Sequence, residues 1–433
     1  MVATITRSIS IFEYQKVFMN QTIDGVTITK KDIDELKAYI DDTNIKKLTN
    51  SEALYNFLIP IRNGVQATNF VGVIQTKSGL TIEILPKIFK HNNEANDREK
   101  IRELFFKMLK IVKSVNGKVF KLTRLNAKRN QLLEVFIAMF LSESDTIIKS
   151  GLKSTYVSIR SNEKYLKGKL LISQQIRNNS LNQSHFYNEF DEFLIDSPEN
   201  QLIRTTLQLL LSISKDNNNL RIIREQLIHF DSVSLTHNSE QTFQKINLGR
   251  NYKNYSQALE WCRLFLKGSS FTPFKGQSTA LAILFPMEKI FEAYISYLVA
   301  FYLSDEKVST QDNRYSLFDK TNETREAYKL RPDIVVRKKN QSVVIADTKW
   351  KLLDSFGPKQ SDLYQMYAYY TRYHHNLELV EKVVLIYPLS EFYQEKEFRS
   401  VAMEADQLAS KIQVKFIDLF SNDMKEQIMS IFE

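Results

Sequence analysis

The sequence predicts an α/β protein whose C-terminal part has a mixed central sheet flanked by helices. Strand-like apolar runs follow one another at 333–336, 343–346 and 382–388. Apolar residues at helical spacing lie on both sides of these runs, at 287–298 and 361–370. Because strands enclosed by helices on both sides form layered α/β architectures, we assign this core to residues 251–433.

Two regions precede this core and differ from it in pattern. Residues 1–120 combine short strand candidates, a hairpin with its turn glycine at Gly79, and an amphipathic helix at 97–113, which predicts a mixed α+β N-terminal domain. Residues 121–250 predict a mainly helical middle region, with its clearest helix at 199–214. We therefore expect three domains, at 1–120, 121–250 and 251–433.

Composition limits the class of protein. The 433 residues are 43% hydrophobic and 12% aromatic, as in a globular chain with substantial cores. The net charge of +9 favours a polyanion such as DNA as partner, although solubility alone would also explain it. The single cysteine, Cys262, excludes intramolecular disulfides and a Cys-based zinc cluster and fits a reducing cytoplasm.

Several motifs are absent from the sequence. It contains neither the glycine-lysine loop of P-loop nucleotide-binding proteins nor the Gly-x-Gly-x-x-Gly fingerprint of dinucleotide-binding proteins. The longest apolar region, 281–303, is interrupted by charged residues, so we expect no membrane span. No basic start leads into an apolar run, so no secretory signal is expected, and the predicted location is the cytoplasm.

A predicted hairpin in the core carries the residues of most chemical interest. Its strands are 331–336 and 342–351, and the polar turn 337–341 joins them. Pro332 stands at the entry of the first strand, where the missing backbone N–H does least harm. The hairpin brings the beginning of its first strand next to the end of its second.

Two acids and a lysine lie at those strand ends. Side chains alternate along a strand, so Asp347 and Lys349 share one face, with Asp333 expected beside them. Mg²⁺ (or Mn²⁺) prefers oxygen ligands and retains waters, so Asp333, Asp347 and the carbonyl of Thr348 are candidate metal ligands. Lys349 would position the attacking water and stabilise charge on a phosphate. A surface salt bridge is the alternative, since Asp305 and Lys307 have the same spacing.

Two flanking helices supply further candidates. Glu292 lies at the edge of the apolar stripe of 287–298, where it could reach the metal site or form a solvated helix flank. Downstream, Gln365 and Tyr369 stand one turn apart on a shared face of the predicted helix 361–370. We expect Gln365 to orient water or contact a DNA phosphate, and the neighbouring tyrosines to belong to the core.

These residues, in this order, resemble those of the PD-(D/E)xK nucleases, and Gln365 with Tyr369 is similar to the branch that includes RecB-type exonuclease domains. More narrowly, the chain resembles the McrC family, the nuclease subunits of McrBC-type modification-dependent restriction systems. The segments that carry this narrower resemblance are 79–88 (GLTIEILPKI), 166–170 (LKGKL), 196–200 (DSPEN) and 287–292 (MEKIFE).

The resemblance implies a function. The chain would be a metal-dependent endodeoxyribonuclease subunit acting on double-stranded DNA, methylated or unmethylated. Its partner would be a McrB-like AAA+ GTPase hexamer that recognises modified DNA and translocates, with residues 1–120 docking on that ring and stimulating it. Two alternatives stay open: a stand-alone or helicase-coupled repair nuclease of RecB type, and a non-catalytic adaptor that activates an NTPase ring.

Overall fold

The computed structural model describes residues 7–47, 57–76, 78–88, 94–114, 132–181, 183–246, 254–268, 281–318, 328–351, 353, 357–389, 395–399 and 411–433. The chain forms two compact units. One combines Met1–Arg129 with Leu284–Glu433, and the other is Asn130–Ile283.

The described residues contain both helices and strands. The helices are α1 (Lys30–Lys47), α2 (Glu94–Ser114), α3 (Leu132–Ser150), α4 (Ile172–Asn179), α5 (Pro198–Ile213), α6 (Asn217–His229), α7 (Ser239–Gln244), α8 (Tyr255–Gly268), α9 (Met287–Tyr302), α10 (Gln360–His375) and α11 (Met424–Phe432). The strands of the first half are β1 (Arg7–Phe12), β2 (Lys16–Phe18), β3 (Thr22–Ile23), β4 (Val26–Thr27), β5 (Leu58–Ile61), β6 (Gly64–Ala67), β7 (Phe70–Gln75), β8 (Leu80–Leu85), β9 (Thr155–Glu163), β10 (Lys169–Leu170) and β11 (Phe186–Leu194). The remaining strands are β12 (Leu281–Pro286), β13 (Lys307–Thr310), β14 (Ile334–Arg337), β15 (Ser342–Thr348), β16 (Leu379–Pro388), β17 (Lys396–Arg399) and β18 (Lys411–Ile417).

One sheet of the first unit has the order β1-β8-β7-β12. The predicted hairpin forms its centre, with β7 antiparallel to β8, while β1 runs parallel to β8. Strand β8 is buried along its whole length and carries one acid, Glu83. Arg102 of α2 holds this carboxylate through two hydrogen bonds of 2.9 and 2.6 Å, and Ser10 donates a third of 2.6 Å. These hydrogen bonds offset the desolvation cost of burying the Glu83 carboxylate between the sheet and α2.

The second sheet of this unit has six strands in the order β13-β14-β15-β16-β18-β17. It is mixed: β14 and β15 are antiparallel, whereas β15, β16 and β18 are parallel. On one face, Val343 and Ile345 pack in an apolar cluster with Met366 and Tyr373 of α10. Because side chains alternate, Asp347 continues this α10-facing row, and Val344 and Ala346 point to the opposite face. The predicted α/β class with a mixed sheet is confirmed.

The strand bounds differ from the predicted ones where the chemistry lies. Strand β14 begins at Ile334, so Asp333 lies one residue before it, and β15 ends at Thr348, so Lys349 follows it. Pro332 accounts for the late start, since proline cannot donate to a ladder. Both charged groups therefore stand at strand ends.

The second unit combines helices with a three-stranded antiparallel sheet in the order β10-β11-β9. The nine-residue strand β11 is not anticipated from the sequence, whose pattern at 121–250 predicts mainly helices. The helix predicted at 199–214 is α5, which begins at Pro198; the side chain of the preceding Ser197 accepts a hydrogen bond from the N–H of Asn200. Across the described ranges, no helix is both long and apolar enough to cross a membrane.

Gly168 provides a test of this second unit. Its φ is +67°, and a Cβ atom there would lie 2.5 Å from the carbonyl oxygen of Glu189 and 2.7 Å from Cβ of Phe190. The left-handed backbone costs alanine about 1–2 kcal/mol and the overlap about 1–3 more. We expect Gly168→Ala to lower the unfolding free energy by about 2–5 kcal/mol, measured by urea denaturation.

The control for Gly168 is Gly151→Ala. Gly151 also has a left-handed φ, +89°, but nothing lies within 4 Å of its added Cβ. The control should therefore lose only the backbone part, about 1–2 kcal/mol. Equal losses for the two variants would show that the close approach of β11 at Gly168 is absent.

Candidate functional site

Asp333 and Asp347 lie at adjoining strand ends, as the predicted hairpin requires. Ile334 is paired with Ala346 across β14 and β15, so the next step of the same ladder sets Asp333 opposite Asp347. Directly opposed residues of an antiparallel pair have Cα atoms about 4.5–5.5 Å apart. Thr348 fixes the first acid, because its N–H and its hydroxyl both donate to Oδ2 of Asp333 at 2.8 Å.

Lys349 links the second acid to helix α10. Its ammonium forms an ion pair with Oδ2 of Asp347 and donates to Oε1 of Gln365 at 3.1 Å. The amide of Gln365 in turn donates to the hydroxyl of Tyr369 at 2.7 Å, which confirms that the two residues share a helix face. The backbone N–H of Lys349 is held by the carbonyl of Ile386 in the neighbouring strand β16 at 2.9 Å. The structure thus brings Asp347, Lys349 and Gln365 into one chain of contacts.

Glu292 reaches the same site from α9, through a residue that the sequence analysis did not name. The side-chain amide of Gln311 donates to Oε1 of Glu292 and, at 3.1 Å, to Oδ1 of Asp333. Lys289 also pairs with Glu292 at 3.0 Å. Two carboxylates from different elements therefore converge on one nitrogen atom.

Burial and mutual repulsion change the acidity of these groups. Burial, followed by the charges of Asp347 and Glu292, raises the pKa of Asp333 from 3.8 to about 7. Burial also raises the pKa of Asp347, although the Lys349 ammonium opposes this rise. Burial alone would lower the pKa of Lys349, but the charge of Asp347 outweighs it and raises that pKa. The site is thus a cluster of three acids, in which Lys349 pairs with Asp347 and Lys289 pairs with Glu292.

The donor set matches a hard divalent cation that retains water. Asp347 is 2% exposed, and its buried Oδ2 touches the Lys349 ammonium but accepts no aligned hydrogen bond within the described residues. Oxygen donors of this kind suit Mg²⁺ or Mn²⁺, which need few protein ligands. In the ranges that the structure describes, no group of three or more His, Cys, Asp or Glu side chains is arranged to enclose an ion. Any cation here would therefore depend on two carboxylates, a carbonyl and water.

Trp350 joins this site to the first sheet of the same unit. Its ring packs against Phe291, the neighbour of Glu292, at a centroid distance of 5.3 Å. Its indole N–H donates to the carboxylate of Glu13, at 3.0 Å to Oε2, and the backbone N–H of Lys87 donates to the same oxygen at 2.9 Å. Glu13, at the end of β1, is thereby buried behind the residue that follows Lys349.

Gln311, the side chain of Thr348 and Glu13 take part in these contacts although the sequence pattern does not indicate them. Gln311 sits after β13 in no recognisable motif, and its left-handed φ of 51° is visible only in the structure. Thr348 was proposed as a ligand through its carbonyl, whereas its contacts with Asp333 use its N–H and hydroxyl. Glu13 lies 337 residues from Trp350, so spacing along the chain gives no signal for their contact.

The chain is similar to known proteins over most of its length. Residues 65–388 match the family described as McrBC 5-methylcytosine restriction system component. A chain of the refined half-complex from the tetradecameric assembly of Thermococcus gammatolerans McrB AAA+ hexamers with bound McrC has a TM-score of 0.71 and 20% identity, covering 98% of this chain and 99% of that chain. A chain of the T. gammatolerans McrBC complex determined by cryo-EM has a TM-score of 0.52 and 22% identity, covering 68% and 88%. Among curated proteins, none matches.

The burial of Glu13 behind Trp350 can be tested through the pH dependence of protein stability. Burial raises the pKa of Glu13 from 4.5 to about 7. Because the folded-state value is the higher one, the stability from the protonated acid is full below pH 4.5 and is lost as the pH rises through 7. The measurement is the free energy of unfolding by denaturant, for Glu13→Gln and for the unaltered protein. We expect the variant's value minus that of the unaltered protein to rise by about 2 kcal/mol between pH 5.5 and pH 8.

The control is Glu426→Gln, on the exposed side of α11. This variant should track the unaltered protein at both pH values, because its side chain stays in water when the chain folds. A stability difference for Glu13→Gln that does not change with pH would contradict the burial of an ionisable group behind Trp350.

Proposed function

The chain belongs to the family of McrBC 5-methylcytosine restriction system components, and from this premise we propose that it is the DNA endonuclease subunit of a McrBC-like restriction system. The observation that supports this proposal is the meeting of two buried acids and a lysine at adjoining strand ends. Asp333 is fixed by Thr348, and Asp347 is paired with Lys349. This is the arrangement that metal-assisted hydrolysis of a phosphodiester requires.

The proposed fold of the catalytic region is a PD-(D/E)xK nuclease core. The antiparallel pair β14–β15 and the parallel strands β16 and β18 would be its sheet, and α9 and α10 its flanking helices. Asp333 supplies the acid of the Pro-Asp element, and 347–349 supplies Asp-x-Lys. The likeness to solved structures supports the fold as a whole, and the assignment of this core rests on those residues.

The metal ligands in this proposal are Asp333, Asp347 and the carbonyl of Thr348. Mg²⁺, or Mn²⁺, would supply a more acidic water and neutralise charge on phosphorus. Lys349 holds a proton firmly, because the raised pKa keeps its ammonium charged, and it stabilises the negative charge of the transition state. Gln365 positions that ammonium through their 3.1 Å hydrogen bond. Glu292 adds negative charge beside Asp333 and is a further candidate catalytic residue.

The proposed partner is a McrB-like AAA+ GTPase hexamer that recognises methylated DNA and translocates. Support comes from the similar structures, in which McrB AAA+ hexamers are assembled with bound McrC. We propose that residues 1–120 dock on this ring, that 121–250 form a middle region, and that 251–433 cut the DNA. Double-stranded DNA is then the substrate.

Asp347→Asn and Lys349→Ala test the catalytic assignment. Each variant should reduce Mg²⁺-dependent cleavage of duplex DNA at least about 100-fold, since one removes a ligand charge and the other the charge that faces the transition state. Initial cleavage rates with the partner ring present are the measurement. Titration with Mn²⁺, followed calorimetrically, should show weaker binding for Asp347→Asn.

The matched control uses the exposed Asp-x-Lys pair of the same unit. Asp305→Asn combined with Lys307→Ala changes the same residue types at the same spacing, but Asp305 is 86% exposed. This double variant should cleave normally. Full restriction by Asp347→Asn would favour the adaptor, and vigorous cleavage without a partner would favour a RecB-like repair nuclease.

A separate experiment tests the partner. Mixing the chain with the AAA+ protein of its own restriction system should increase GTP hydrolysis by that protein. Asp347→Asn should stimulate hydrolysis as well as the unaltered chain does, because docking does not use the catalytic acid. Absence of any stimulation, together with failure to co-elute in gel filtration, would refute the proposed partner.

A further inference from the structure

A cleft of about 400 Å³ opens beside the candidate site, within the first unit. Its lining comes from the residues that follow β1 and β8 on one side and from the segment before α10, with the first turn of that helix, on the other. The charged and aromatic residues among the lining are Glu13, Tyr14, Lys87, Trp350, Lys351, Lys359 and Asp362. None of the residues to which we assign catalysis belongs to this lining, so the cleft is a separate feature.

The acids of the cleft are buried, whereas its lysines are more exposed to solvent. Glu13 and Asp362 are 1% and 6% exposed, so both carboxylates are buried in the floor. Lys359 is exposed, and Lys87 and Lys351 are half-buried. The surface that a ligand would meet is therefore positive.

The two floor acids are already engaged by the protein. Glu13 accepts hydrogen bonds from Trp350 and from the backbone of Lys87. Asp362 is contacted by the ammonium of Lys351 and by the hydroxyl of Tyr387, both at 3.3 Å. Their negative charge is thus partly neutralised from within the protein, in the case of Asp362 by Lys351 itself.

A fourth ammonium stands at the rim. Gly357 lines the cleft with a φ of +86°, and a Cβ atom built there would lie 3.2 Å from Nζ of Lys396. Glycine therefore lets the ammonium of Lys396, on β17, approach the backbone at this edge. Four lysines from three segments therefore lie around this opening: one after β8, two between β15 and α10, and one on β17.

Tyr14 adds an exposed aromatic side chain with a strained backbone. It is 48% exposed, and its φ of 63° is rare for a bulky residue. Such outliers persist where the surrounding structure holds them and cluster at functional sites. Lysines combined with an exposed aromatic ring are typical of surfaces that follow a nucleic-acid strand.

The residues of the cleft lie close along the chain to those of the proposed catalytic centre. Lys351 is two residues from Lys349, so their Cα atoms are at most about 7 Å apart. Asp362 lies one turn before Gln365 on α10. Since each strand of B-DNA carries one phosphate per about 3.4 Å of helix axis, this spacing corresponds to one or two phosphates along the strand.

We propose that this lysine-rimmed cleft binds the phosphodiester backbone of the DNA strand next to the phosphate that is cut. The inference rests on the proposed nuclease function and extends it to a second binding site. Lys351, Lys359 and Lys396 contact successive phosphates, and Lys87 closes the opposite wall. Binding of this kind is insensitive to base sequence and sensitive to salt.

The test is the double variant Lys359→Gln with Lys396→Gln in the full chain. Binding of a fluorescein-labelled 20-base-pair duplex is measured by anisotropy in EDTA, between 50 and 200 mM salt, so that binding is separated from cleavage. Loss of two phosphate contacts should weaken binding roughly 10- to 60-fold at 0.1 M salt. It should also reduce the slope of log Kd against log salt by about two.

The matched control is Lys307→Gln with Lys339→Gln. These lysines lie at the hairpin end of β14 and β15, and the seven residues of β15 separate that end from the site, or about 20 Å. The control removes the same charge and should bind DNA as the unaltered chain does. Both variants change surface side chains, and unchanged melting temperatures would verify that the fold is retained.

The outcomes distinguish this inference from the proposed function. Equal binding by the cleft variant and the unaltered chain, or equal losses in both double variants, would overturn the cleft proposal while leaving the nuclease intact. The same holds if the unaltered chain shows no measurable binding at 50 mM salt. Selective loss in the cleft variant supports the proposal even if cleavage is never observed, in which case the nuclease assignment alone fails.

Discussion

The arrangement of the first unit depends on holding carboxylates together against their mutual repulsion. Asp333, Asp347 and Glu292 are drawn from two strand ends and one helix, and burial raises the pKa of the two aspartates. Burying like charges is unfavourable by several kcal/mol unless partners are supplied. Thr348 and Lys349, at the end of β15, are these partners: Thr348 donates hydrogen bonds to Asp333, and Lys349 pairs with Asp347. The segment 347–349 therefore contains one of the acids and the groups that stabilise both aspartates.

The apolar part of the fold serves this arrangement. Strand β15 is buried along its length, and its odd-numbered side chains pack on α10, which presents Gln365 to Lys349. Behind Lys349, Trp350 is held between Phe291 and Glu13. Contacts on both sides of the sheet therefore determine the position of Lys349. They restrict the motion of this strand end, where the proposed chemistry needs a fixed geometry.

Much of the candidate site could be predicted because its signals are local. The polar turn and the apolar runs on either side of it are sufficient to bring Asp333 opposite Asp347, and alternation alone puts Lys349 beside Asp347. The bridge from Glu292 to Asp333 could not be predicted, since it uses Gln311, which follows an edge strand of irregular pattern. Strand β11 could not be predicted for a related reason. Its nine residues mix charged and aromatic side chains, and the pairing with β9 that stabilises the strand is a tertiary contact.

The order of the chain also has a consequence for how the protein is made. Residues Asn130–Ile283 are inserted between two parts of the other unit, and the hydrogen bond from Trp350 to Glu13 spans 337 positions. At about 5–20 residues per second, a ribosome needs tens of seconds to deliver the second partner after the first. During that interval the nascent β1 and β8 expose apolar surface that their later neighbours will cover. Assembly of this unit is therefore completed only after residues Asn130–Ile283 have been synthesised.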